Sequence, residues 1–168
     1  MALSNEKFLI FVLISSLLVG CSGIERQTEK AMKAAEVAFR DDEKQPNIES
    51  GLIQVYLPKD FNVVEEHENN LILQKGDKAY ILFVNPNEKE DSSVLFLATK
   101  LQGDQYLMLH SFQNDEKFGF ISIKEASKEK YELSVGIGAV KLTTETDKDH
   151  LKTDAKQMMQ VVSSVPQK

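Results

Sequence analysis

Apolar and polar positions alternate with three different rhythms along this chain. Phe8 to Leu18 is an uncharged apolar run, shorter than the ~20 residues a membrane-spanning helix needs. From Thr28 to Arg40, Ala31, Met32, Ala35, Ala38 and Phe39 recur at three- and four-residue spacings, which predicts a helix with one narrow apolar stripe. Asp41-Asp42-Glu43 ends it, because carboxylates past a helix C-terminus oppose the macrodipole.

The period then shortens to two. Ile53, Val55 and Leu57 share one face of a strand that Pro58 stops. Phe61 to Glu65 and Leu71 to Gln74 predict a hairpin around Glu66-His67-Glu68-Asn69-Asn70, and Lys75-Gly76-Asp77 carries the glycine of a further tight turn. Ala79 to Val84 reads as a central strand buried on both faces. Val94 to Thr99 is a short apolar run that periodicity alone does not assign; it is taken as strand. Tyr106 to Phe112 and Phe118 to Ile123 flank Asn114-Asp115-Glu116 as another hairpin. Tyr131, Leu133, Val135 and Ile137 then alternate with Glu132, Ser134, Gly136 and Gly138. Leu151, Ala155, Met158, Met159 and Val162 return to helical spacing, with Thr146 or Asp147 as the expected cap and Pro166 as the stop.

The order helix, meandering strands, helix predicts an α+β domain. Its single antiparallel sheet has about six to eight strands, with an N-terminal and a C-terminal helix covering it.

The N-terminal run closes on Leu18-Val19-Gly20-Cys21, and Cys21 is the only cysteine of the 168 residues. A short polar start, an apolar run and a small residue before the cut have the layout of a secretory signal peptide. The four residues resemble the lipobox of bacterial lipoproteins. That resemblance implies diacylglyceryl modification of the Cys21 thiol, cleavage before it, and a place on the outer face of the cell membrane. The expected organisation is residues 1–20 as cleaved signal peptide, 21–27 as tether and 28–168 as one domain. More than one acyl chain is needed for stable anchoring. With its cysteine so used, the domain has no thiol for a disulfide and depends on its core.

Charge narrows the partners. The formal net charge is -6, and Arg26 and Arg40 are the only arginines, so the clustered cations that neutralise nucleic-acid phosphates are missing. Lysines interleave with carboxylates as on a solvated surface, not as a polybasic membrane patch.

Leu52-Ile53-Gln54-Val55-Tyr56-Leu57-Pro58 leading to Phe61, the long meander, and a last helix ending Val162-Ser163-Ser164-Val165 resemble the PsbP-like fold. This α-β-α sandwich occurs in photosystem extrinsic proteins and in bacterial lipoproteins. The resemblance implies a binding, assembly or accessory role and carries over no catalytic residue.

Candidate chemistry is sparse. The chain has no Walker loop, GxGxxG, GxSxG or HExxH motif, and no cofactor or metal is expected. Glu65-Glu66-His67-Glu68 offers ligand atoms, but neighbours in sequence rarely converge on one ion, so a solvated turn is the reading taken. His110 shares a face with Met108, Phe112 and Tyr106 by parity. It reads as a half-buried histidine with one partner, or as a general base if an acidic or nucleophilic neighbour faces it.

Gly136 and Gly138 leave room on one face of their strand, for a packed helix or for the edge of a ligand. The leading expectation is a non-catalytic module, anchored at the membrane, that binds an envelope protein through an exposed apolar or aromatic patch including Tyr56, Tyr80 or Tyr106. The second is a carrier of a small apolar ligand held near Gly136 and Gly138; the third is a hydrolase using His110.

Overall fold

The computed structural model describes residues 21–103 and 105–167. The hydrophobic run and the first three lipobox residues lie outside the described residues. Helix α1 spans Cys21–Arg40, so the segment expected as a tether is the first turns of this helix. Thr28 is buried and Ile24 packs on the core, which gives these turns a tertiary reason to be helical that the weak local periodicity did not carry.

After α1, β1 (Ile48–Ser50) and β2 (Ile53–Val55) form a small antiparallel ribbon turning at Gly51. The main sheet has seven strands: β3 (Asn62–His67), β4 (Asn70–Lys75), β5 (Lys78–Val84), β6 (Tyr106–Gln113), β7 (Phe118–Ser127), β8 (Lys130–Ile137) and β9 (Val140–Asp147). Their spatial order is β3-β4-β5-β9-β8-β7-β6, with every neighbouring pair antiparallel. The protein is therefore α+β, with one large antiparallel sheet flanked by N- and C-terminal helices. Four successive reversals from β5 through β9, β8 and β7 leave β5 and β6 pointing the same way. The chain must thus cross from the middle of the sheet to its far edge between Asn85 and Gln105. That crossing contains helix α2 (Val94–Lys100), where a strand was expected. The segment passes over the sheet and not along its edge, and Leu95, Phe96 and Thr99 find their burial by helical spacing.

Helix α3 (Leu151–Val162) packs beside α1 on one face of the sheet. Leu71, Leu73, Tyr80, Leu82, Ile121, Ile123, Leu133, Val135 and Leu142 point from the strands into this layer, and all are fully buried. His150 precedes α3 without a side-chain cap; Thr146 and Asp147, the expected caps, are bonded elsewhere. Strand β5 is interior, as expected, but only one of its faces is covered: Tyr80 and Leu82 are buried while Ala79 and Ile81 are exposed. Among the described residues, the second face of the sheet carries only the crossing segment and α2.

Register also defines two ends of the sheet. One end holds the start of β5, the β7–β8 turn, the end of β9 and the start of α3. The other holds the end of β5, the β6–β7 turn and the C-terminal ends of α1 and α3. Phe39, late in α1, lies 5.7 Å from Phe112 and against Gly119 at that second end. Tyr56 N–H donates to Ser164 Oγ there at 2.8 Å.

Candidate functional site

The half-covered second face is built from the alternate residues of each strand. Ile81 and Phe83 of β5, Thr143 and Lys141 of β9, Ser134 and Glu132 of β8, and Ser122 and Lys124 of β7 stand in register across it. With Leu95, Thr99 and Gln102 from α2 and Tyr106 from β6, they line a cleft of about 520 Å³. Its floor is internally bonded: Ser134 and Thr143 share a hydroxyl hydrogen bond of 2.8 Å, and Lys124 pairs with Glu132 at 3.0 Å.

The roof is held by aromatics and by glycines. Phe96 of α2 sits 5.5 Å from Phe118 and 5.9 Å from Phe120. The Phe120 ring occupies the place a side chain at Gly136 would take; a Cβ there would fall 2.3 Å from the ring. Gly138, beyond the end of β8 at φ +52°, faces the backbone of Lys89 and Glu90 at 2.3 to 2.6 Å from where a Cβ would be. Phe118 N–H donates to Glu90 O at 3.0 Å and so ties the crossing segment to the sheet. Beside this seam Lys117 bridges Glu43 and Glu90. Burial, helped by the Glu116 carboxylate, pushes Glu90 above the usual carboxylate range, while burial pulls Lys117 below that of a free lysine.

The glycines therefore admit a phenylalanine ring and a loop backbone. The helix expected over them, α3, packs on the opposite face, and the space the carrier expectation placed at Gly136 and Gly138 is filled.

The outward side of α2 is the unusual feature. Val94, Leu97 and Leu101, at helical spacing, are 46%, 49% and 86% exposed, and Leu107 of β6 is 45% exposed. This seven-residue helix is apolar both toward the sheet and toward solvent, and its outer face has no partner among the described residues.

Tyr106 belongs to this site, but His110 does not. A bulge between Tyr106 and Met108 shifts the register, so the parity that put both on one face fails. Tyr106 pairs across β7 with Lys124 and donates its hydroxyl to Thr99 O at 3.1 Å. His110 stands on the helix side of the edge strand β6, exposed, its ring 5.3 Å from Phe112. Among the described residues no hydrogen bond orients it. Tyr80, expected on an exposed patch, is instead fully buried, and Tyr56 is half-buried. Glu65, Glu66 and His67, expected in a turn, are the exposed end of β3, and only Glu68 lies in the turn. His67 is 3.4 Å from Glu65, and no cluster of ligand side chains among the described residues would hold a metal ion.

Sequence reasoning missed a polar knot on the covered face. Asp154 of α3 is buried, with Oδ2 accepting from Lys78 Nζ at 2.5 Å and from Thr146 Oγ1 at 2.6 Å; Lys78 also donates to Thr146 at 2.8 Å. Tyr80 Oη lies 3.5 Å from Oδ1. The signal was present: Asp154 falls between Leu151 and Met158 on the apolar stripe, where a carboxylate needs a partner. These bonds clamp α3 to β5 and β9.

Burial, then the Asp154 charge and its hydrogen bond, raise the Tyr80 hydroxyl well above its ordinary range. Tyr80's contribution is complete below its unfolded value near pH 10 and is lost as pH climbs toward its raised folded value. Stability should therefore fall above pH 10, by up to about 1.4 kcal/mol per pH unit. In Tyr80→Phe this alkaline limb should flatten when urea midpoints are measured from pH 8 to 11; an unchanged slope would mean that Tyr80 ionises freely.

Comparison with protein-family models and with curated proteins finds no match to this chain.

Proposed function

We propose that this protein is a lipid-anchored extracytoplasmic module that binds a protein of the cell envelope through α2 and the second face of the sheet, without catalysis. The observation that carries the reading is the apolar side of α2 turned to solvent. Exposed apolar surface next to a polar cleft marks a place where another molecule excludes water. The cleft supplies the hydrogen-bonding and charged groups, Ser122, Lys124, Glu132 and Thr143, that would fix the register of a partner around the Leu97 contact. The resemblance of Leu18-Val19-Gly20-Cys21 to a lipobox supports the anchor, and the resemblance to PsbP-like proteins agrees with an accessory role.

The test is crosslinking in the native cell, with the captured protein identified by mass. Leu97→Asp should leave the protein folded and in the membrane fraction but lose the captured partner. Cys21→Ala should move the protein out of the membrane fraction. Capture of the same partner by Leu97→Asp would refute the α2 surface. If no protein is captured by the unmodified sequence either, the binding reading itself fails.

A further inference from the structure

We infer that the end of the fold carrying Leu101 and Leu107 rests on the bilayer surface, so that the module stands on the membrane in one orientation instead of swinging on a tether. The inference rests on the anchoring reading and extends it.

The first observation is the missing slack. The core-packed body begins at Ile24, three residues after Cys21. Three residues rise about 4.5 Å in a helix, and about 10 Å if fully extended. Acyl chains on Cys21 would therefore hold the nearest part of the fold against the headgroups.

The second is which end that is. Helix α3 starts where Asp154 meets Lys78 at the start of β5 and ends where Ser164 meets Tyr56. Helix α1 packs along α3, and its late residue Phe39 is at the Gly119 end. Its first turn is thus at the opposite end, with the start of β5, the β7–β8 turn and Tyr106 at the start of β6.

The third is what else is exposed there. Tyr106 Oη bonds Thr99 O and approaches Gln102, which puts the C-terminal end of α2 at the same corner of the sheet. Leu101, 86% exposed, and Leu107 follow from that corner. Two exposed leucines beside an acyl anchor can enter the headgroup and acyl boundary, where apolar side chains of interfacial elements bury to about 5–10 Å. Val94 and Leu97, farther along α2, stay free for a partner that itself lies at the membrane surface.

The chain contains no tryptophan, so a single introduced one reports its surroundings without background. Leu101→Trp, Leu107→Trp and Leu52→Trp are made in the full chain, processed in a bacterial host and reconstituted in phosphatidylcholine–phosphatidylglycerol vesicles containing nitroxide-labelled lipid. Leu52, 94% exposed in the β1–β2 turn, marks the far end through its neighbour Gly51, which meets Glu66 near the end of β3. Leu101→Trp and Leu107→Trp should be quenched severalfold more than Leu52→Trp and emit at shorter wavelength. Equal weak quenching of all three in vesicle-bound protein would overturn the orientation while leaving the anchor intact. Stronger quenching of Leu52→Trp would reverse it. Failure of the Cys21 protein to float with vesicles, matching Cys21→Ala, would overturn the anchor and the orientation with it.

Discussion

Asp154→Ala is expected to destabilise the fold by about 3 kcal/mol, toward the lower end of what loss of one partner costs in a buried ion pair. The lower end applies because the Lys78 side chain is 24% exposed and water screens part of the charge left behind. The cost has two sources. The Lys78 ammonium and the Thr146 hydroxyl lose their common acceptor in a place where α3 covers them, and an unsatisfied buried donor costs about 1–3 kcal/mol. The clamp between α3, β5 and β9 is also lost, although the apolar stripe of α3 remains. Urea unfolding of Asp154→Ala, Lys78→Met and Asp154→Leu with Lys78→Met separates these terms. The double variant should recover most of the loss, because apolar replacement of both partners removes the stranded charge. An Asp154→Ala protein as stable as the parent would show that the knot contributes nothing to holding α3.

Gly138→Ala is expected to cost a similar amount, about 3 kcal/mol, for a different reason. An alanine at positive φ costs roughly 1–2 kcal/mol, and a methyl group pressed into its surroundings costs about 1–3 kcal/mol more. Here those surroundings are the backbone of Lys89 and Glu90, within 2.6 Å of the added carbon. A backbone has no rotamer with which to move aside, so the crossing segment itself would have to lift. Gly76→Ala is the matched control: its φ is +59°, yet nothing lies within 4 Å of the added atom. The difference between the two midpoints measures the seam alone. Amide exchange in α2 should quicken in Gly138→Ala and not in Gly76→Ala. Equal losses would mean that the seam gives way without cost.

Much of the covered layer is legible in the sequence. Leu133, Val135 and Ile137 alternate, and Leu151, Ala155, Met158 and Met159 recur at helical spacing. Each pattern marks the side that faces the covered layer, which is local information, while the burial of Ser134 and Gly136 on the other face of β8 is not. The bulge at Leu107 was not legible, because one extra residue leaves no mark on composition while reversing every face before it. That single register shift separated Tyr106 from His110. Helix α2 was misread for a related cause. Its apolar residues point both inward and outward, so its pattern has neither period, and only the need to cross from β5 to the far edge decided its form.

The amino-acid pattern by itself determined the α+β class, the positions of most strands and turns, and the solitary cysteine after an apolar run. These follow from periodicity, turn chemistry and composition, which act over a few residues. The tertiary structure alone decided that Gly136 and Gly138 receive Phe120 and the Lys89–Glu90 backbone, that Asp154 meets Lys78 across 76 positions of chain, and that one face of the sheet stays half open under α2. Those outcomes depend on which strands become neighbours, and strand order is set by the summed burial of the whole chain, not by any one segment.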